Sequence, residues 1–143
     1  MLGSSRFELA RLILYNAHLL ARGIQGYRSV CSQQDRTPEG VLRSINEPAA
    51  ELDRAFIQAR LLFPADLLED ERKQIKTCVD DLYLAATRYG REMTKPEDRQ
   101  DQQKLQEYDA TIWSPGEDDP FAKRVEKALE SLTGKLQPFV ARA

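Results

Sequence analysis

The sequence is poor in the residues on which most enzyme chemistry depends. Among its 143 residues are one histidine, two cysteines, one tryptophan and seven glycines. A di-metal helical bundle takes a Glu-x-x-His motif from each of two helices, and a serine or cysteine nucleophile needs a neighbouring base. His18 is the single imidazole, and no glycine cluster resembles a phosphate-binding loop. We therefore predict a protein that is not an enzyme and that binds no metal or cofactor.

The chain also lacks an excess of one charge and a long apolar run. Lys and Arg number 21 against 23 Asp and Glu, for a net charge of −2, so we expect no nucleic-acid partner. The longest uncharged apolar stretch, residues 12–21, is far shorter than the roughly 20 residues of a membrane-spanning helix. Cys31 and Cys78 are too few for a disulfide framework, and no signal peptide is visible. We expect free core thiols in a cytoplasmic protein.

Helical periodicity dominates what is present. Hydrophobic residues make up 41% of the chain, an ordinary share for a globular protein, and we predict one domain over residues 1–143. Three long segments carry apolar residues at alternating spacings of three and four, which is the pattern of one helix face. The first of these stripes consists of Ala10, Ile13, Ala17, Leu20, Ile24, Tyr27 and Cys31.

Capping residues predict the ends of the first helix, over residues 5–34. Ser5 and Glu8 form the Ser-x-x-Glu pattern that satisfies free amides at a helix start, and a polar run beginning at residue 32 ends it. Gly23 and Gly26 fall inside this helix. We interpret both glycines as positions where a neighbouring helix approaches closely.

The second helix begins at Thr37, an N-cap residue that is followed by Pro38 in the first helical turn. Its apolar stripe continues through Pro48. This favours one kinked helix over two helices with Asn46 as a fresh cap. Pro64 ends the element, because the residue before a proline avoids helical geometry.

Start signals also precede the two remaining long helices. Asp66 with Glu69 predicts a cap for the third helix, which runs to Tyr89 or Met93, and Asp119 before Pro120 predicts a cap for the last one. Residues 114–116 read as a turn. Gly134 and Pro138 are expected to end or bend the last helix.

These elements predict an all-α fold. Short connections between long amphipathic helices favour antiparallel neighbours, so we predict an antiparallel up-down bundle of four main helices. An additional shorter helix is predicted at about residues 96–113. It is polar for two turns, and we expect it to be half attached to the rest.

Two residues of the first helix are candidates for a ligand pocket. Asn16 projects into the apolar arc between leucines, either as a buried amide that fixes helix packing or as a polar contact for a ligand. Tyr27 lies further along the same stripe. A small-molecule site between helices near these two residues is our alternative to a role in protein contacts.

Two surfaces are candidates for interaction with a partner. On the opposite face of the first helix, Arg11, Tyr15, His18 and Arg22 step by four, three and four, and mix cations with an aromatic ring. The other surface consists of apolar residues outside the main stripes of the second and third helices, which are either covered by residues 96–113 or available to a partner: Ile57, Leu61 and Leu84.

The order of these features resembles a family. It combines Arg6-Phe-Glu-Leu-Ala, Ile24-Gln-Gly-Tyr-Arg-Ser, Ala59-Arg-Leu-Leu-Phe-Pro, Ile112-Trp and Asp118-Asp-Pro-Phe with a terminal amphipathic helix. The pattern is similar to the soluble helical domain of small bacterial proteins that have one membrane anchor and no assigned function. The resemblance implies a cytoplasmic helical domain held near a membrane by a tether that this chain lacks. It implies no catalytic residue.

We therefore predict a non-enzymatic helical-bundle protein that acts through protein–protein contacts. The partner is another protein or a second copy of the chain in a homodimer. Membrane contact is expected only through a tether or weak surface binding.

Overall fold

A computed structural model of the chain describes residues 2–30, 36–113 and 118–140. Within these ranges the chain is all-helical and contains no strand, which confirms the predicted class. A short 3₁₀ helix, Glu97–Arg99, precedes the fourth α-helix. The five α-helices are α1 (Leu2–Val30), α2 (Pro38–Leu62), α3 (Glu69–Met93), α4 (Gln102–Ile112) and α5 (Pro120–Val140).

Helix α1 begins earlier than its capping pattern predicts. It starts at Leu2, so Ser5 and Glu8 lie inside the helix rather than at its cap. The reason is that the apolar face already continues through half-buried Phe7 to buried Leu9, and packing of that face stabilises a helix more than a local cap does. The predicted end of the helix and Cys31 lie outside the described residues.

Helix α2 begins as predicted and runs through its internal proline as one helix. The Thr37 hydroxyl accepts a hydrogen bond from the Gly40 amide at 3.0 Å. No break occurs near Asn46, so the alternative of two abutting helices is wrong. The helix ends where Phe63, the residue before Pro64, adopts an extended conformation.

The predicted cap of α3 is wrong. Leu68 occupies the N-cap position, and no side chain caps the helix there. Asp66 belongs instead to a preceding turn, in which the Leu67 amide donates to the Pro64 carbonyl at 3.0 Å and the Glu69 amide lies 3.5 Å from the Asp66 carbonyl. Asp66 therefore stands two residues before the N-cap position. The start of α3 is stabilised instead by acidic residues in its first turn, which complement the helix dipole.

Helix α5 is continuous to Val140, so the expected end at Gly134 or Pro138 is wrong; the alternative, a bend at these residues, stays a prediction. Leu132 and Leu136 on either side of Gly134 are completely buried, and their packing holds the helix together. Pro138 has no N–H to donate to the Gly134 carbonyl. Gly134 is exposed, so water can donate to this carbonyl instead. The turn predicted at residues 114–116 lies outside the described residues.

The core is built from one face of each long helix. α1 packs against α2 and α5, and α3 packs against α2, α5 and α4. Near the middle of these helices lie side chains without significant solvent exposure, among them Ile13, Ile45, Leu82 and Leu132. At one end the rings of Phe63 and Phe139 meet edge to face, with centroids 4.7 Å apart.

The additional helix predicted at about residues 96–113 is shorter than expected, because the 3₁₀ helix Glu97–Arg99 precedes α4. Asp101 caps its start by accepting hydrogen bonds from the amides of Gln103 and Lys104. Only Leu105 and Ile112 are buried in this helix, and it packs mainly against α3.

At Gly23 the backbone of α1 lies close to that of α2. A Cβ atom at this position would lie 2.7 Å from the Ser44 carbonyl oxygen. Pro48 stands four residues after Ser44 and has no N–H to bind that oxygen, which is therefore turned toward α1. Gly26, by contrast, has nothing within 4 Å of its Cβ position, so the predicted close approach holds for Gly23 and is wrong for Gly26.

Candidate functional site

A groove of about 410 Å³ opens between α1 and α5. Its apolar lining includes Ile24, Val125 and Leu129, and its polar lining includes Gln25 and Glu126. This volume falls within the roughly 300–1,000 Å³ range of small-molecule sites. The groove therefore has the size of a ligand site.

A buried ion pair borders this groove. Both terminal nitrogens of Arg28 donate to the carboxylate oxygens of Asp119, each at 2.8 Å. Asp119 also caps α5 by accepting from the Ala122 amide at 3.1 Å, and the Arg28 guanidinium carbon lies 4.7 Å from the centroid of the Phe121 ring. Arg28 is only 3% exposed, so the pair joins the end of α1 to the start of α5.

The same arginine binds the end of α4. Its Nε donates to the Thr111 carbonyl at 2.7 Å, and one terminal nitrogen donates to the carbonyls of Ala110 and Trp113 at 3.1 and 3.3 Å. These are the carbonyls that a helix end leaves without internal donors. Arg28 thus connects three helix ends, and its hydrogen bonds assign it a structural role rather than a catalytic one.

A second groove, of about 200 Å³, lies between α2 and α3. We call it the α2–α3 groove. Its floor is apolar, with buried Leu20, Leu52 and Phe56. Its charged lining residues are Arg72, Lys76 and Asp53.

The two cations of the α2–α3 groove have few partners. The Arg72 side chain makes one hydrogen bond among the described residues, from a terminal nitrogen to Glu69 at 3.1 Å, and its Nε is buried without a partner there. Lys76 is exposed and forms no ion pair with any residue that the structure describes. The Arg72 hydrogen bond is the largest cause that lowers the pKa of Glu69 below its ordinary value.

The two residues predicted to line a ligand pocket are both buried. The Asn16 side-chain amide donates to the Leu12 carbonyl of its own helix at 3.0 Å. Tyr27 lies in the hydrophobic core. Neither residue lines the α1–α5 groove or the α2–α3 groove, although Arg28, next to Tyr27 in the chain, lines the first of them.

The four residues predicted on the opposite face of α1 are all exposed: Arg11, Tyr15, His18 and Arg22. They lie along one line of the helix, as their spacing predicts. The Arg11 guanidinium carbon is 5.6 Å from the centroid of the Phe7 ring. The face is accessible, and its charge comes from two separate cations.

Of the three apolar residues predicted for a partner surface, two form a strip on α2. Ile57 is 56% exposed and Leu61 is 85% exposed, and one helical turn separates them. We call this pair the α2 strip. Leu84 is 41% exposed. The α2 strip lies near the start of α3, because Arg60 beside the strip pairs with Glu69. Leu84 lies fifteen residues beyond Glu69, or roughly 22 Å along α3. The structure does not bring Leu84 to the strip.

The burial of three charged residues is not predicted from the sequence. Besides Arg28, they are Glu71 and Glu92, which are 2% and 4% exposed. Glu71 accepts from the Lys135 ammonium at 2.8 Å and from the Ser131 hydroxyl at 3.0 Å, which joins α3 to α5. The burial of Glu71 could have been predicted from its spacing, because it stands four residues before Ile75 and seven before Cys78, on the core-facing side of α3.

Other site types find no support in the described ranges. No three His, Cys, Asp or Glu side chains of residues 2–30, 36–113 and 118–140 are grouped as metal ligands. None of the helices found there has the length and apolar character needed to cross a bilayer. Cys78 is a free, buried thiol, and burial raises its pKa above the ordinary value.

Comparison with known proteins adds no relative. No family model, no curated protein and no solved structure matches this chain.

Proposed function

We propose that this chain is a non-enzymatic helical-bundle protein that acts through protein contacts, and that two copies associate through the α2 strip. The observation that carries the proposal is the exposure of Leu61 and Ile57, 85% and 56%, on adjacent turns of one helix. Contiguous exposed apolar side chains are the kind of surface that a protein partner covers.

The proposed arrangement is the antiparallel up-down bundle of α1, α2, α3 and α5. Support comes from contacts between opposite ends of neighbouring helices. Early in α1, the Arg6 Nε donates to the Leu62 carbonyl at the end of α2. The end of α1 meets the start of α5 through Arg28 and Asp119. In this arrangement the α2 strip faces outward.

The energetics of the α2 strip favour weak association. Full burial of a leucine or isoleucine side chain contributes about 1.5–3 kcal/mol, so the exposed portions of Ile57 and Leu61 offer roughly 2–4 kcal/mol per copy. Association costs about 4–15 kcal/mol in lost freedom of motion. Two copies together offer roughly 4–8 kcal/mol, which exceeds the cost of association only at the lower end of its range, so we expect association only at high protein concentration.

Sedimentation equilibrium tests the proposal. We expect the average mass of the unmodified chain to rise toward twice 16.3 kDa as protein concentration increases into the millimolar range. Leu61→Asp should hold the mass at that of the monomer, because burying an unpaired carboxylate in the interface is costly.

Two matched variants separate the α2 strip from general effects of charge. Leu84→Asp places the same carboxylate on an exposed apolar position far from the strip, and Gln58→Asp places it beside the strip on an exposed polar position. Leu84→Asp should self-associate like the unmodified chain, and Gln58→Asp should fall between the two extremes. A mass that stays monomeric for the unmodified chain at every concentration would refute the proposal.

Small-molecule binding is the second candidate function. The observation that favours it is the pair of grooves between helices, of about 410 and 200 Å³. A thermal-shift survey of metabolites tests it, since a ligand that binds only the folded state raises the unfolding midpoint. If no compound in the survey raises the midpoint, this candidate fails.

The cytoplasmic location and the tether implied by the resemblance remain proposals. A buried free thiol at Cys78 is compatible with a reducing compartment. Electrostatic binding of the exposed Arg11 to Arg22 face to a membrane surface would weaken with added salt.

A further inference from the structure

The α2–α3 groove combines an apolar floor with cations that have unused hydrogen-bond donors. Leu20, Leu52 and Phe56 form the floor. At the rim, Lys76 has no ion pair within the described part of the chain. Arg72 offers several guanidinium N–H groups, of which one is bonded, to Glu69.

A buried donor without a partner is uncommon in folded proteins and calls for an explanation. In the described residues Arg72 Nε is such a donor. Arg72 lines the groove, and an oxygen acceptor bound there is a candidate partner for its guanidinium, because a carboxylate matches the planar guanidinium in a bidentate manner.

We propose that the α2–α3 groove binds a single-chain amphiphile with a carboxylate head. The alkyl chain lies on the apolar floor, and the head lies between Arg72 and Lys76. Asp53 is the one acidic residue in the lining, and Glu69 outside the lining is shared between Arg72 and Arg60. Three cations therefore oppose two anions here, and the groove prefers a negative ligand. The proposal rests on the second candidate function and is independent of self-association through the α2 strip.

Isothermal titration calorimetry with three ten-carbon probes tests the charge preference. Decanoate, decanol and decyltrimethylammonium share the alkyl chain and differ in the charge of the head, and each is used below its micellar concentration. We expect decanoate to bind one per chain and about two- to fivefold more tightly than decanol. The cationic probe should bind more weakly than decanol.

Paired variants place the binding site. Lys76→Glu reverses a cation at the rim, and Lys73→Glu makes the same change on a neighbouring exposed residue of α3 that does not line the groove. The first variant should weaken decanoate binding about two- to fivefold, and the second less than about twofold. Asp53→Asn should tighten decanoate binding, because it removes the opposing carboxylate.

Three results would overturn the inference. They are the absence of decanoate binding, equal or tighter binding of decyltrimethylammonium, and equal effects of Lys76→Glu and Lys73→Glu. If decanoate fails while another metabolite raises the unfolding midpoint, the inference is refuted and the second candidate function survives. Self-association is read from the mass and is unaffected by either result.

Discussion

Replacing Gly23 by alanine places a methyl group where α1 meets α2. The added Cβ would lie 2.7 Å from the Ser44 carbonyl oxygen and 3.2 Å from an Ile45 methyl carbon. The obstacle is backbone, which cannot move aside as a flexible side chain does. Gly26 is the matched control, because it lies on the same helix and has nothing within 4 Å of its Cβ position.

The two substitutions share one effect and differ in another. Alanine stabilises a helix interior by about 0.8–1.0 kcal/mol relative to glycine, so Gly26→Ala should raise the free energy of unfolding by about that amount. Gly23→Ala gains the same propensity but adds overpacking, which costs about 1–3 kcal/mol. We expect Gly23→Ala to be less stable than Gly26→Ala by about 1–3 kcal/mol.

Urea denaturation followed by circular dichroism measures both free energies of unfolding. A double-mutant cycle with Pro48→Ala tests the cause, because the restored N–H draws the Ser44 carbonyl back into α2. Gly23→Ala should then be less costly in the Pro48→Ala background. The reasoning is refuted if Gly23→Ala and Gly26→Ala are equally stabilising, or if Pro48→Ala leaves the difference unchanged.

Three further predictions concern buried polar groups. Asp119→Asn leaves Arg28 buried without its carboxylate and should lower the free energy of unfolding by about 3–5 kcal/mol in urea denaturation; a loss below about 1 kcal/mol would contradict the structural role of the pair. Cys78, in a chain whose other cysteine is serine, should react with a thiol reagent at pH 8 far more slowly in the folded state than in urea, because burial raises its pKa and blocks access; equal rates would show that the thiol is not buried. Hydrogen bonds from the Lys95 ammonium and a backbone amide lower the pKa of Glu92 below its ordinary value of 4.5. Glu92 therefore stabilises the fold above about pH 4.5 and loses this effect as the pH falls through its folded pKa. The difference in free energy of unfolding between the unmodified chain and Glu92→Gln should therefore shrink in acid. A difference that is independent of pH would disprove the assignment.

Much of the helical structure follows from local patterns. Apolar spacing of three and four predicts the helices because a helix in a protein is stabilised mainly by packing of one face. The caps at Thr37 and Asp119 are readable because their side chains bind amides of their own helix. The cap at Asp66 fails because nothing local reveals that a turn intervenes before α3.

The grooves and buried ion pairs are not readable in the same way. Arg28 binds Asp119, 91 residues away in the chain, and the hydrophobic pattern carries no information on such pairing. The position of Glu71 on a core face predicts burial, but not that Lys135 is the partner. Groove volume depends on the distances between helices, which side-chain packing sets. The sequence left open whether residues 96–113 cover the α2 strip or leave it exposed. The position of α4 decides between these alternatives, and local patterns do not reveal that position.

An isotope-filtered NOE experiment on a concentrated mixture of labelled and unlabelled chains tests the proposed self-association most directly. It detects protons of one copy near the methyl groups of another. We expect intermolecular NOEs to the methyl groups of Leu61 and Ile57, and their loss in Leu61→Asp. Their absence, with a mass that remains monomeric, would contradict association through the α2 strip.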